Sequence, residues 1–289
     1  MSLTSSESAV TLFVVGTPIG NLGDITLRAV DTLRRVGLVA AEDTRRSRAL
    51  LTHLGITGKP LVSIESHASD RHVEQIVAAL LDGTDVALVT DAGMPCISDP
   101  GARVVRGAVE RGIRVTVVPG PSSVSAAAAL SGLIEGAYLF MGFLPRRGTR
   151  RSDALAKIQG SDEPVILFEA PTRCEQTLTE LADLMPDRPV CVTRELTKLH
   201  EEVVRGSLGS LPPREWRGEI CIVLGPALPR ASADPNLDEL DAQIEGLLAG
   251  GASTRSVLDA LGRVAGLSRR DLYARVEALR APQRAQEPD

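Results

Sequence analysis

Short aliphatic runs alternate with helix-like stretches through the first half of the chain, and this alternation limits the fold more than any other feature. The stretches between the runs, such as Ile25 to Val36 and Ala102 to Arg111, carry apolar residues at helical spacing. A strand, helix, strand order predicts parallel pairing, because each crossover helix covers a face of the sheet. We therefore expect an α/β fold with a mainly parallel, buried sheet. The predicted strands are Leu12 to Val15, Leu38 to Ala41, Val86 to Thr90 and Val115 to Val118.

Turns rich in Gly and Pro follow three of these strands, and they read Gly16 to Gly20, Asp91 to Pro95 and Pro119 to Ser123. Ligands of open α/β sheets bind outside the carboxyl ends of the strands. The three turns therefore predict one shared ligand site, although each alone could be only a tight turn. The first turn, GTPIGNLGD, has neither common phosphate-binding glycine spacing nor a following lysine, so we do not expect it to hold phosphate.

A second series of strand-like runs begins near residue 135, after a helix of small residues, SVSAAAALSGL. We expect one α/β domain over residues 11–134 and another over 135–226, with a disordered N-terminus at 1–10. The predicted strands of the second domain are Tyr138 to Phe143, Val165 to Glu169, Val190 to Thr193 and Glu219 to Leu224.

The last part of the chain has a different character. Residues 227–236 are rich in Pro, Ala and Ser, which is typical of a linker. Helical patterns over residues 237–289 predict a small all-helical C-terminal domain with a flexible tail. Gly266 followed by Ser268 as an N-cap fits either a helix-turn-helix module or a helical appendage that packs on its own chain or a partner subunit.

Composition argues against several classes of protein. The net charge of -5 argues against a general nucleic-acid binder, because phosphate neutralisation needs clustered Lys and Arg. No window approaches a membrane span of about 20 apolar residues and no signal peptide is evident, so we expect a cytoplasmic protein without membrane association. The four cysteines form no C-x-x-C pair and the histidines lack ligand spacing, so we expect no metal.

Six motifs occur in order along the chain: GTPIGNLGDITLRA, AAEDTRRSRALL, LVTDAGMPCISDPG, VTVVPGPSSV, FLPRRGTRR and RELTKLHEE. Together they resemble the bacterial 16S ribosomal RNA cytidine 2'-O-methyltransferases of the tetrapyrrole methylase superfamily, densely over residues 11–225. Superfamily members use S-adenosylmethionine in a cleft between two α/β domains and are typically dimeric. The resemblance implies S-adenosylmethionine as cofactor, 2'-O-methylation of a cytidine in 16S rRNA within the small ribosomal subunit as activity, and a homodimer.

The resemblance also implies a set of cofactor contacts at the turns and in the second domain. Met94 stands where the superfamily often has aspartate and the ribosomal RNA relatives usually have threonine. We expect its backbone contacts to be kept, and the sequence leaves the role of its side chain open. The two serines after the third turn could bind the cofactor, cap the next helix, or do both. The implied cofactor residues are Pro18, Ala92, Gly93, Met94, Ile97, Ser122, Ser123, Glu169 and Leu196.

Methylation at oxygen requires a ribose hydroxyl to lie close to the methyl carbon and to lose its proton. Charged candidates near predicted strand ends are Glu42, Asp43, Asp91, Glu195 and Lys198. We select Asp43 and Lys198 as the catalytic residues. The alternative is that these groups are structural, in ion pairs with neighbouring arginines.

Arginine clusters provide local positive charge for RNA despite the acidic total. They lie at Arg45, Arg46 and Arg48, at Arg146, Arg147, Arg150 and Arg151, and at Arg269 and Arg270. We expect Arg45 and Arg46 of the first cluster and all four arginines of the second to contact RNA, with a solvated surface as the alternative. Because aromatic residues are only 2% of the chain, we expect recognition by shape and phosphate contacts and not by base stacking.

Two other functions remain open from the sequence. A tetrapyrrole methyltransferase of the precorrin type would use the same fold, but AAEDTR, the arginine-rich FLPRRGTRR segment and Met94 argue against it. A non-catalytic RNA-binding factor for ribosome assembly would keep the fold without the activity, and the intact small-residue turns argue against that.

Overall fold

The computed structural model describes residues 10–64, 70–228, 237–261 and 269–280. The chain divides into two compact units, Met1–Pro226 and Ala227–Asp289. The expected disordered start, most of the expected linker, the cap at Ser268 and the expected tail lie outside the described residues. Across the described ranges no helix is long and apolar enough to cross a membrane.

The first sheet has five strands in the order β3-β2-β4-β1-β5, and every described pair is parallel. This arrangement confirms the α/β class predicted from the alternating pattern. The half-buried residues of β3 give too short a pattern to stand out, and this strand was not predicted. The strands are β1 Thr11–Val15, β2 Leu38–Ala41, β3 Leu61–Ser63, β4 Val86–Val89 and β5 Arg114–Val118.

Helices cover both faces of the first sheet, which explains why its strands are aliphatic. Leu33 and Leu51 pack on one face, and Ile76 and Val104 pack on the other. All four residues of β4, VALV, are buried because the strand is covered on both sides. The helices are α1 Leu27–Arg35, α2 Thr44–His53, α3 Asp70–Leu81 and α4 Gly101–Glu110.

The second sheet also has five strands, in the order β6-β7-β10-β8-β9, and only the pair of β6 with β7 is parallel. The strand β9, EVVRGS, was not predicted, because its polar residues weaken the apolar pattern of an edge strand. The elements are α5 Ser123–Ser131, β6 Leu139–Phe143, α6 Thr149–Gln159, β7 Val165–Glu169, α7 Pro171–Leu184, β8 Pro189–Arg194, β9 Glu202–Ser207 and β10 Ile220–Leu224.

The two sheets share one patch of core, so that residues up to Pro226 form a single compact unit. The helix α5 follows the first sheet in sequence but packs Val124 and Ala127 against the second sheet. Ile19, from the turn after β1, joins the same cluster together with Leu196. The predicted boundary between residues 134 and 135 therefore separates α5 from the sheet on which it packs.

Three helices in the C-terminal unit enclose a core of their own. They are α8 Leu237–Ala249, α9 Thr254–Leu261 and α10 Arg269–Arg280. Arg275 holds Asp241 with hydrogen bonds of 2.5 and 2.8 Å. The core residues are Leu240, Ile244, Leu248, Val257, Leu272 and Val276.

Replacing Leu167, which is fully buried in the core of the second sheet, should destabilise the first unit. We expect Leu167→Ala to lower the free energy of unfolding by about 2–5 kcal/mol, because it leaves a cavity among packed side chains. The control Leu27→Ala removes a side chain that is 86% exposed, and its effect should stay within about 0.5 kcal/mol. Denaturant unfolding followed by fluorescence of Trp216, which lies in the same core, measures both. Equal midpoints for the two variants would contradict this prediction.

Candidate functional site

The three Gly- and Pro-rich turns meet at the carboxyl edge of the first sheet. The N–H of Gly16 donates to the carbonyl of Val118 at 3.0 Å, and Thr17 and Gly93 exchange backbone hydrogen bonds of 2.9 and 3.2 Å. A Cβ on Gly16 would lie 2.7 Å from the Cα of Gly120, so glycine is required for this close approach. Backbone hydrogen bonds and close packing therefore join the three turns to one another.

A loop of the second sheet, which follows β8, closes against the first turn. The N–H of Asn21 donates to the Thr197 hydroxyl at 2.9 Å. A Cβ on Gly20 would lie 2.7 Å from the carbonyl oxygen of Leu196, so the two loops are in direct backbone contact. This contact places residues from both sheets around one cavity.

The cavity has a volume of about 260 Å³ and a mixed lining. The first sheet and its turns contribute polar groups, and the second contributes most of the aromatic and apolar ones. The lining residues include Ile19, Glu42, Thr90, Asp91, Ala92, Ile97, Ser98 and Ser123 from the first half, and Phe143, Phe168, Glu169, Leu196, Glu219 and Ile220 from the second.

Two apolar residues of the cavity wall are each flanked by residues with left-handed backbone. Ile97 lies between Cys96 and Ser98, with φ of 70° and 66°, and Leu196 lies between Glu195 and Thr197, with φ of 51° and 66°. Such conformations are strained for residues other than glycine, and they persist only where surrounding structure enforces them. The left-handed backbone could not be predicted from the sequence, because none of these four flanking residues is a glycine or an asparagine, which favour that conformation.

The predicted cofactor residues divide into two groups in the structure. Ala92, Ile97, Ser123, Glu169 and Leu196 line the cavity. Pro18, Gly93, Met94 and Ser122 lie in the same turns without being among the lining residues.

Three residues of the second group, Gly93, Met94 and Ser122, contribute to the structure of the turns or of the helix that follows. Gly93 has a φ of 82° and pairs with Thr17. The Met94 sulfur lies 2.8 Å from where a Gly16 Cβ would be, so this side chain packs over the first turn. Ser122 occupies the N-cap position of α5, but its side chain makes no capping hydrogen bond.

Two carboxylates, Glu42 and Asp91, lie at the strand ends of β2 and β4 and line the cavity. Glu42 accepts a short hydrogen bond from the Thr90 hydroxyl and one of 3.3 Å from the N–H of Asp91. Asp91 accepts from the N–H of Asp43 at 3.0 Å. Burial raises the pKa of Asp91, and the nearby Glu42 charge adds to this effect while the amide of Asp43 opposes it.

The predicted catalytic residue Asp43 lies beside Glu42 and Asp91 but is not among the lining residues. Its side chain is hydrogen-bonded to the helix that it caps. Its carboxylate caps α2 through the N–H of Arg45 at 2.8 Å and binds the Arg45 guanidinium at 3.1 and 2.8 Å. These hydrogen bonds lower the pKa of Asp43 to about 2. A carboxylate with so low a pKa is a weak general base.

The other predicted catalytic residue, Lys198, is not among the lining residues either. Its ammonium contacts Glu195 at 2.9 Å and Glu219 at 3.0 Å, and Glu219 lines the cavity. Partial burial would lower the pKa of Lys198, but the hydrogen bonds to both carboxylates outweigh it and raise the pKa. Lys198 is therefore a cation that positions Glu219 and not a base.

Glu169 lines the cavity at the end of β7, yet its carboxylate is held by the protein. Its oxygens accept from the Thr177 hydroxyl at 2.8 Å and pair with Arg173 at 2.5 Å. Only 1% of the residue is exposed. The carboxylate therefore has a structural role and stabilises the wall of the cavity.

The structure corrects one member of the predicted RNA-binding clusters. Arg151 is 6% exposed, and its guanidinium binds Glu180, Thr177 and the carbonyl of Pro145 at 2.7 to 3.0 Å. The local cause is the register of α6, whose buried face includes position 151. Arg151 is a structural residue of the second sheet's core.

The other predicted arginines are accessible. Arg146, Arg147 and Arg150 are exposed on the segment after β6. The Arg45 and Arg46 side chains are 90% and 64% exposed and pair with Asp43 and Asp91 respectively.

Sequence reasoning missed Ile19, Phe143, Phe168 and Glu219 on the cavity wall. Phe143 is the last residue of β6, so its place at a strand end could have indicated it. Glu219 precedes β10 and reaches the same edge because β10 is antiparallel to β7. Within the described ranges, no group of three or more His, Cys, Asp and Glu residues could hold a metal ion.

Comparison with known proteins decides the family. A family model described as Tetrapyrrole (Corrin/Porphyrin) Methylases matches residues 11–212. The chain belongs to this family. The match covers the first sheet, the second sheet apart from β10, and every residue of the cavity wall named above except Glu219 and Ile220.

Two proteins that share one name are similar to most of this chain. A protein of Micromonospora olivasterospora named ribosomal RNA small subunit methyltransferase I is 40% identical over 92% of this chain and 86% of its own length. A protein of Thermotoga maritima with the same name is 43% identical over 74% of this chain and 97% of its own length.

Solved structures of tetrapyrrole methylases have the same fold at low identity. Cobalt precorrin-4 methyltransferase aligns with a TM-score of 0.59 and 20% identity, covering 78% of this chain and 98% of that one. Uroporphyrin-III C-methyl transferase from Thermus thermophilus, complexed with S-adenyl homocysteine, aligns with a TM-score of 0.53 and 18% identity, covering 75% and 97%.

The adjacent residues Arg150 and Arg151 should respond differently to the same substitution. We expect Arg151→Gln to lower the free energy of unfolding by about 3 kcal/mol, because it breaks a buried ion-pair network and leaves Glu169 with fewer partners. Arg150→Gln should change it by less than about 0.5 kcal/mol, because that side chain is exposed. Denaturant unfolding measures both, and a stable Arg151→Gln would contradict the structural role.

Proposed function

We propose that this protein transfers a methyl group from S-adenosylmethionine to the ribose 2'-hydroxyl of a cytidine in 16S rRNA of the small ribosomal subunit. The observation that carries the proposal is a cavity at the carboxyl edge of the first sheet, lined jointly by small-residue turns and by the Glu42 and Asp91 carboxylates. The names of relatives about 40% identical over most of the chain support ribosomal RNA as the substrate class.

The cavity suits a small sulfonium cofactor. The small residues Ala92 and Ser123 allow close approach, and Ile97 and Leu196 provide apolar surface for the adenosyl and methionine carbons. Glu42 and Asp91 provide negative charge near a positive sulfur, and such attraction is stronger inside a protein than in water. A bound cofactor would supply the methyl carbon to the ribose oxygen, and its bond from that carbon to sulfur would break to release a thioether.

Among the carboxylates of the site, Asp91 has the position and environment of a general base. It lines the cavity, whereas Asp43 does not, and burial raises its pKa, which makes its carboxylate a stronger base. Proton removal by Asp91 from the ribose hydroxyl would leave the oxygen free to attack the methyl carbon. Lys198 would act indirectly by holding Glu219 on the cavity wall.

The exposed arginines are proposed to bind the RNA backbone. Arg146, Arg147 and Arg150 lie on the segment that directly follows the cavity residue Phe143, and Arg45 and Arg46 lie on the helix that follows Glu42. Phosphate contacts of this kind orient a nucleic acid without reading its sequence. We also expect a homodimer that acts in the cytoplasm, from the resemblance to the family.

Methyl transfer with labelled S-adenosylmethionine tests the proposed function. We expect label on a cytidine ribose when the protein is incubated with small ribosomal subunits that lack the modification, as mapped by nuclease digestion and mass spectrometry. Naked 16S rRNA and a tetrapyrrole precursor are the comparison substrates. Label on the pyrrole ring, or on a base, would contradict the proposal, and cofactor binding without any transfer would favour a non-catalytic assembly factor.

Matched substitutions separate the two neighbouring aspartates. We expect Asp91→Asn to lower kcat at saturating cofactor by about 100-fold or more, because general base catalysis typically contributes that much. Asp43→Asn should leave kcat nearly unchanged, because asparagine also caps helices. The wild-type kcat should fall as pH falls through the raised pKa of Asp91, since the base must be unprotonated, and Asp91→Asn should lack this dependence. A loss of activity in Asp43→Asn alone would assign the role to Asp43.

A further inference from the structure

An irregularity in β6 turns Phe143 towards the cavity. Leu139 and Phe140 pair with Val165 and Ile166, but Phe143 pairs with Phe168, so β6 contains one residue more than β7 between these points. Gly142, at a φ of 61°, lies within this β-bulge. Bulges often lie next to active sites, where they redirect a side chain.

The extra residue changes the face of the sheet on which Phe143 lies. Side chains alternate between faces along a strand, and a shift of one residue exchanges the faces. Leu139 and Met141 pack in the core on one side of the sheet. Strict alternation would place Phe143 with them, whereas the bulge places it on the face of Phe140 and Phe168.

Phe143 combines an exposed ring with a fixed position at the cavity. Its ring centroid is 5.5 Å from that of Phe168, which in turn packs edge-on against Phe140 at 5.1 Å. Even so, 55% of Phe143 is exposed, and it lines the cavity. An exposed aromatic ring held at a cavity is unusual in a chain with only 2% aromatic residues.

The charges around this ring point to a nucleotide as its ligand. Arg146, Arg147 and Arg150 follow Phe143 in the chain, are exposed, and have no ion pair with any residue in the described part of the molecule. The cavity beyond the ring carries Asp91 and other carboxylates, which repel phosphate. A bound nucleotide would therefore keep its phosphates on the arginines and direct its base and ribose inwards.

We infer that Phe143 is a stacking platform for a nucleobase of the RNA substrate, and this inference rests on the proposed function. Base stacking on an aromatic ring is sequence-tolerant, because every base has a π face. The platform would hold the unstacked nucleotide with its ribose near Asp91. This single ring departs from the expectation that recognition would use no base stacking.

Substitutions that separate aromatic from apolar character test the inference. We expect Phe143→Leu and Phe143→Ala to lower kcat/KM for unmodified small ribosomal subunits by about 5- to 150-fold, which corresponds to the loss of one base stack. Phe143→Trp should keep most of the activity. The control is Tyr138→Leu, because Tyr138 is an aromatic residue just before β6 that is 42% exposed and is not among the lining residues.

Cofactor affinity distinguishes stacking on RNA from packing on the cofactor. Calorimetric titration with S-adenosylmethionine should give the same Kd for wild type, Phe143→Leu and Phe143→Ala. A Kd weakened by the factor that kcat/KM loses would overturn the inference and assign the ring to the cofactor. Wild-type kcat/KM in Phe143→Leu would also overturn it, since leucine fills space without stacking.

A fluorescence measurement reads stacking without any methyl transfer. In Phe143→Trp, a short cytidine-containing oligoribonucleotide should quench the new indole, while the same oligoribonucleotide with an abasic cytidine position should not; Trp216 is 5% exposed and gives a constant background. Equal quenching by both probes would overturn the inference. Base-dependent quenching by a protein that methylates no ribosomal RNA would support the stacking and overturn the proposed function.

Discussion

The close contact between the backbones of Gly16 and Gly120 is the constraint on which the candidate site depends. With a Cβ at Gly16 only 2.7 Å from the Cα of Gly120, no larger residue fits between the exits of β1 and β5. The same turn pairs with Gly93 through Thr17, which adds the exit of β4. Backbone therefore builds this side of the cavity, and side chains are added to it from other strands.

The second sheet is attached to these turns by apolar packing and by one loop contact. Ile19 and Leu196 share a core cluster with α5, and Asn21 binds Thr197 next to it. Ile19 and Leu196 also line the cavity, so the packing that joins the two sheets is the packing that shapes the site. Any change in the position of one sheet relative to the other would change the cavity.

Several basic side chains around the cavity are paired with carboxylates. Arg151 and Arg173 are used inside the protein to hold Glu169, and Lys198 is used to hold Glu219. Asp91 lies on the cavity wall, and its carboxylate is 3.5 Å from the guanidinium of Arg46. The Arg46 side chain is largely exposed. The cavity therefore carries negative charge and the exposed segment after β6 carries positive charge, which is the distribution that the proposed reaction on RNA requires.

The sequence by itself determined the α/β class, the three converging turns and the family motifs, because hydrophobic period and Gly or Pro content are local signals. It did not reveal the short β3, the polar β9 or the buried position of Arg151, which depend on neighbours distant in the chain. Only the tertiary structure decided that Asp91 faces the cavity while Asp43 caps a helix. It also decided the face of Phe143, because one extra residue in β6 reverses an alternation that the sequence shows as regular.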